Sequence, residues 1–268
     1  MLSTAEEEVH SMLYQALNYQ KKDKVMIVSI IGPVDSQVTM AQLSDELTDL
    51  YDEMMRDEEI RVIVLTGVGE KSFSMETDLF GPNPEDNDLL GTRFWSLAEP
   101  LGKLDLPIIA AINGDAIGQG LELVLACDIR IASEASHFGL THIRTGYIPW
   151  DGGTQRLSRL VGKSNAIEMI LTGKMIDSQE ALRMGLINKV VPHEELMKAA
   201  MDMAQEMASK GPVALRYAKE AIYKGMDMAL EQGLRLEADL YLLIHTTKDR
   251  TEGIQAFREK RTPKFEGR

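Results

Sequence analysis

Between residues 113 and 128 the chain places glycines at positions 114, 118 and 120, then sets Glu122 among Leu121, Leu123, Val124 and Leu125. Glycines at that spacing bracket a strand-to-helix junction. The first backbone N–H groups of such a helix have no partner inside it and favour negative charge developing in front of them. A carboxylate in the first turn of an apolar helix is costly to bury without a task or a partner. One reading gives that carboxylate a task beside donors that favour negative charge. The other reading is a glycine turn whose carboxylate is satisfied by backbone, and the spacing alone leaves both open. Cys127 lies at the end of the same apolar run and reads as a small core residue, not a nucleophile. No His or Cys pair stands at metal-ligand spacing, so no metal is expected. His10, His137, His193 and His245 have no chemical context and read as structural or solvated.

These residues need a scaffold, and 268 residues suffice for one large domain or a core with an appended region. A formal net charge of -13 repels phosphate backbones, so nucleic acid is not an expected partner. One cysteine excludes an internal disulfide. No apolar run approaches a membrane span, and Glu6, Glu7 and Glu8 replace the basic start of a signal peptide; a cytoplasmic location is expected.

Patterning predicts a short helix over residues 3–13, strands over 14–20 and 25–31, and a helix whose apolar face is Met40, Leu43, Leu47, Leu50, Tyr51 and Met54. A buried strand follows over 61–67, then a polar loop over 81–88 and a helix over 94–103 that Pro100 kinks or ends. Beyond it come a strand over 107–112, a helix over 120–127 and a strand over 128–132. Asp177 and Glu180 resemble a capping box for a helix stopping near Gly185, before a strand over 187–191. Helices alone follow His193, with 226–246 read as one continuous stretch. The expectation is an α/β core over 1–195 and a helical C-terminal region over 196–268.

The chemistry-bearing segment also resembles a known family along nearly the whole chain. Residues 71–74 through Asp78 and Leu79 resemble the first oxyanion-hole segment of the enoyl-CoA hydratase/isomerase (crotonase) superfamily. Residues 118–123 (Gly-Gln-Gly-Leu-Glu-Leu) resemble its glycine-rich second segment, and 138–157, ending Gly-Gly-Thr-Gln-Arg-Leu, the segment bearing the second catalytic carboxylate. Residues 171–173, 181–186 and 252–265 complete the series in family order and spacing. The resemblance implies a crotonase-like spiral of ββα units with a helical C-terminal trimerisation region, assembled as a homotrimer or a hexamer. It implies an acyl-CoA thioester substrate, coenzyme A entering as part of that substrate, and no separate cofactor. The backbone N–H groups of Thr77 and Gln119 match the oxyanion hole. Phe257 and Lys260 match positions that meet the acyl chain or the CoA phosphate, often from a neighbouring subunit.

Four departures stand out. The first glutamate of the family's water-holding pair corresponds to Glu122, but the second position is His142. Trp150 and Asp151 replace small residues before the double glycine, and Met75 and Glu76 replace small residues in the oxyanion segment. Residues 32–38 lack the usual pieces that cup the adenine half of CoA. Histidine titrates nearer neutrality than a carboxylate and serves as a base at cellular pH. Asp151, nine residues on, could fix its tautomer, as the acid does in a triad, or could simply cap the helix that begins at the glycines. His142 as a satisfied core residue is the remaining alternative. The candidate catalytic residues are thus Glu122, His142 and Asp151, with Glu76, Trp150, Phe257 and Lys260 as candidate substrate contacts. The expected reaction adds or removes water, or moves a double bond, in an acyl-CoA. The alternative is hydrolytic carbon–carbon cleavage of a small β-dicarbonyl, free or CoA-linked, by a His142–Asp151 pair.

Overall fold

The computed structural model describes residues 14–31, 38–69, 72–74 and 96–268. The helix expected over 3–13, the loop over 81–88, the altered segment 32–37, and Glu76 and Thr77 lie outside the described residues.

The chain begins as a hairpin, β1 (Leu17–Lys22) and β2 (Val25–Ile30), paired antiparallel around Asp23. Helix α1 (Met40–Met54) is opened by Thr39, whose side chain accepts from Gln42 N. Its expected stripe is real: Leu43, Leu47, Leu50, Tyr51 and Met54 are buried. Strand β3 (Val62–Gly67) is buried at every position, so it must be covered on both faces. It lies between β2 and β5 (Ile108–Ile112), parallel to both. With β7 (Ile129–Ser133) and β10 (Lys189–Val191) they form a six-stranded sheet ordered β1-β2-β3-β5-β7-β10.

Each central strand of that sheet is followed by a short strand of a second one. These are β4 (Ser72–Ser74) after β3, β6 (Asp115–Ile117) after β5 and β8 (His137–Gly139) after β7. They pair in parallel, and β9 (Ile176–Asp177) closes the order β4-β6-β8-β9 antiparallel to β8. Between the two sheets' contributions fall α2 (Ala98–Gly102), α3 (Gln119–Ala126), α4 (Gly153–Val161), α5 (Lys163–Thr172) and α6 (Ser178–Arg183). The path is therefore strand, strand, helix, repeated: the ββα spiral. Asp177 caps α6 by accepting from Glu180 N at 2.7 Å, as its spacing predicts.

Helix α7 (Leu196–Ala208) lies across β3, β5 and β7 through Leu196, Ala200, Ala204 and Ala208. Alanines at four-residue steps let its backbone approach the sheet closely. Helices α8 (Pro212–Met226) and α9 (Leu230–Ile244) follow, the second starting at 230 and not at 226 as its pattern predicts. The chain reverses over 227–229, and Gly225 and Gly233 meet at the crossing, where a Cβ on Gly233 would sit 3.5 Å from Gly225 Cα. Only Leu240 of α9 is buried, whereas Leu230, Leu234, Tyr241, Leu242 and Leu243 are exposed.

Helix α10 (Lys248–Glu259) anchors the residues that follow it. Arg261 grips Glu252 with two nitrogens at 2.6 and 2.9 Å, and Glu252 also accepts from Lys264 N. Asp249 accepts from Glu266 N and Gly267 N. From the far end of the chain, buried Arg61 donates to Ala208 O at 3.0 Å and to Phe265 O at 2.6 Å. Among the described residues no helix is long and apolar enough to cross a membrane, and no group of three or more His, Cys, Asp or Glu is placed to hold a metal ion.

Candidate active site

The site starts at Gly118, which links β6 to α3 with φ 59 and ψ -126, a backbone setting that a side chain would strain. Its carbonyl accepts from Leu121 N and Glu122 N, and its own N–H donates to Gly139 O in β8. Both short strands thereby fix the helix start. Gln119 opens α3, so its N–H belongs to the first turn, whose donors lack partners inside the helix and favour negative charge.

Glu122, in that first turn, is fully buried. Its Oε1 accepts from two backbone donors, Asp151 N and Gly153 N, each at 2.8 Å. Its Oε2 has no hydrogen-bond partner and lies 3.4 Å from Nε2 of His142. His142 stands in a 3₁₀ turn (Thr141–Thr145) directly after β8, almost completely buried, with Nδ1 unpartnered. That turn is held by Thr145 Oγ1 and Tyr147 N, both donating to His142 O, and ended by Gly146 at φ 85. Two buried polar atoms left without partners carry a desolvation cost that a bound water or substrate atom would relieve.

The two readings of Glu122 thus turn out to be compatible. One oxygen is satisfied by backbone, as in a structural glycine turn, and the other is left without a partner. The glycine pair is the reason. Gly152 takes φ 99, and a Cβ on Gly153 would fall 2.8 Å from both Glu122 Oε1 and Pro149 Cβ. Only a residue without a side chain lets the backbone come this near the carboxylate.

Asp151 corrects the sequence expectation. Its carboxylate does not meet His142. It accepts from Leu97 N at 2.8 Å, from Ala98 N at 3.0 Å and from the Ser96 hydroxyl through a short bond. It caps a helix, but α2, not the α4 that begins at the glycines. Burial pushes its carboxyl above the usual carboxylate range, the three donors pull it back, and the charge of Glu122 adds to the rise. Arg156 Nη1 donates to Asp151 O at 2.8 Å from the other side. The His142–Asp151 pair on which carbon–carbon hydrolysis would rest is therefore replaced by a His142–Glu122 pair.

The other candidates disperse. Half-buried Trp150 lines a cleft of about 690 Å³ with Asp151, Arg156, Tyr223 and Met226. Phe257, 86% exposed, lines a different groove with Val213, Ile254 and Phe265, and exposed Lys260 ends α10. Ser96, Gly153 and Arg156 are residues of the site that the sequence assigned no part. Gly153 had a signal in the double glycine; Ser96 had none.

The comparisons with known proteins agree with this fold. The family model described as enoyl-CoA hydratase/isomerase matches residues 13–268. The short-chain-enoyl-CoA hydratase of Clostridium acetobutylicum is 38% identical over 252 residues, covering 92% of this chain and 95% of that one. The (E)-benzylidenesuccinyl-CoA hydratase of Thauera aromatica is 41% identical over 225 residues, covering 83% and 88%. A crystal structure of an enoyl-CoA hydratase from Bacillus anthracis superposes with a TM-score of 0.86 at 39% identity, over 95% of this chain and all of that one. The match of the family model to residues 13–268, on a ββα spiral whose glycine-led helix presents a buried carboxylate, places this chain in the enoyl-CoA hydratase/isomerase family, as an enzyme of the hydratase class acting on acyl-CoA.

Proposed function

We propose that Glu122 and His142 act together on one water, or on one substrate proton, in an enoyl-CoA thioester. The observation that carries this is the buried approach of Glu122 Oε2 to His142 Nε2 at 3.4 Å, with Oε1 already occupied. That separation is long for a hydrogen bond, but one water oxygen at about 2.8 Å from each atom would bridge both. In the hydration direction one of the pair takes a proton from this water as its oxygen bonds to the β-carbon. The C=C electrons move toward the thioester, whose oxygen becomes an oxyanion. The N–H groups of Thr77 and Gln119 hold that oxyanion, and the dipole of α3 adds to them. A proton then passes to the α-carbon, and the elements of water have been added. For isomerisation the same pair removes a proton at one carbon and returns it at another.

Coenzyme A enters as part of the substrate, and no resident cofactor takes part in this scheme. Glu76 and Trp150 border the acyl group. Phe257 and Lys260 project to the acyl chain or CoA phosphate of a neighbouring subunit in a trimer or hexamer. The exposure of Phe257 and the open leucine face of α9 support that assembly. A cytoplasmic location accompanies this reading. Purified protein given crotonyl-CoA should bleach its enoyl-thioester absorbance, and a cyclic β-diketone should be left intact. Loss of the diketone with crotonyl-CoA untouched would overturn the proposal.

A further inference from the structure

We infer that Asp151 is a positioning residue: its carboxylate moors the start of α2 while its own N–H locates Glu122. The inference rests on Glu122 being the acid–base group, as proposed above. Three elements form a closed circuit. Helix α3 carries Glu122 and packs on α2. The start of α2 gives Ser96 Oγ, Leu97 N and Ala98 N to the Asp151 carboxylate, across 53 to 55 residues of sequence. The turn at 151–153 returns two N–H groups to Glu122 Oε1. Leu97, Ala98 and Leu101 are buried in the main core, so α2 is a fixed post. Glu122 therefore cannot move relative to its two donors unless α2 moves too.

The circuit explains why an acidic residue stands here. The N–H groups of Leu97 and Ala98 are buried donors at a helix start, and an apolar residue at 151 would leave them without this acceptor. Ser96 serves twice, donating to Asp151 and accepting from Glu99 N at 2.8 Å. Arg156 steadies the turn from outside by donating to Asp151 O. If the turn shifts, both donors leave Oε1, and Oε2 loses its bearing on His142. Misplacement on the scale of an ångström is costly in rate without being costly in substrate affinity.

The test is steady-state kinetics with crotonyl-CoA on Asp151→Ala, Asp151→Asn, Ser96→Ala, Ser96→Thr and the Ser96→Ala/Asp151→Ala double variant. We expect Asp151→Ala to lower kcat about 10- to 100-fold with KM changed less than about threefold. Ser96→Ala should lower kcat more mildly, and Ser96→Thr, which keeps the hydroxyl, should restore it. The double variant should be no slower than Asp151→Ala, because both changes open one circuit. Should Asp151→Ala fail to fold, Asp151→Asn carries the same expectation, since its amide cannot accept from all three donors. Wild-type kcat in either folded Asp151 variant overturns the inference. So does a crippled Asp151 variant beside a fully active Ser96→Ala, which would mean that the carboxylate acts on the chemistry directly. Glu122→Gln, run alongside, separates the two levels: full activity there sinks the role of Glu122, and loss there with intact Asp151 variants sinks the circuit alone.

Discussion

Glu122 commits one oxygen to two backbone donors and leaves the other without a partner, and that division makes its substitutions informative. Glu122→Gln keeps the shape and an acceptor for Asp151 N and Gly153 N, yet cannot shuttle a proton. Turnover of crotonyl-CoA by the folded variant should fall roughly a hundredfold or more. Near-normal turnover would reduce Glu122 to a buried structural acid. His142→Ala should cost a similar factor, and His142→Glu should retain more hydration than His142→Ala, because it puts a second carboxylate opposite Oε2. Near-wild-type turnover in folded His142→Ala would make His142 a packing residue. Gly153→Ala forces a Cβ to within 2.8 Å of Glu122 Oε1, so it should abolish most activity and lower stability by about 1–3 kcal/mol in thermal unfolding. At this scale the sequence was informative about identity and silent about partnership. A carboxylate in a glycine-led apolar helix announces itself at Glu122. The partner of Asp151 does not, because Ser96, Leu97 and Ala98 lie over fifty residues upstream and only the folded sheet order brings them near. Spacing suggested His142 for Asp151 since nine residues across a turn are compatible with contact, but nearness in sequence does not aim their side chains at each other.

Elements were legible where their patterns are long. The stripe of α1, the β-branched run of β3 and the Asp177 cap of α6 all stand where expected. The second sheet was missed because β4, β6 and β8 have three residues each, too few for an alternation to show, and all three are set by the spiral instead. Helix α5 was missed because it begins after Gly162 at positive φ instead of a side-chain cap. The clamp on the C-terminal segment carries a prediction of its own. Two nitrogens of Arg261 beside Glu252, together with Lys264 N, hold its carboxyl down at about 2. A depressed carboxylate stabilises above its unfolded value near ~4.3, and the contribution disappears as pH falls through the folded one. Amide exchange at Lys264 should therefore lose protection between pH ~4.3 and about 2, ahead of the core strands. Arg261→Ala should move that loss to higher pH, and an unchanged profile would show that Glu252 does not hold the segment.

The whole molecule exposes more apolar surface on α9 than its own core can cover. Leu230 is 78% exposed and Leu242 64%, on a helix that buries only Leu240. Leu230, Leu234 and Tyr241 share one side of that helix at helical spacing, and an exposed apolar side of this kind fits an interaction surface. Light scattering at micromolar concentration should give a trimer or a hexamer, and a Leu230→Lys/Leu234→Lys pair should shift it toward monomer. A stable wild-type monomer would remove both the assembly and the cross-subunit part given to Phe257 and Lys260.

Buried Arg61 depends on acceptors 147 and 204 residues further along the chain, at Ala208 and Phe265. A ribosome delivers those acceptors long after it has delivered β3. Until then the guanidinium must stay hydrated, and the sheet end beside it, where β3 begins, cannot close dry. Vectorial synthesis thus imposes an order: the spiral can collect its strands early, while the final consolidation around Arg61 waits for the late segment. Nascent chains arrested before residue 265 should remain cleavable by protease near residue 61, and those arrested well beyond it should be protected.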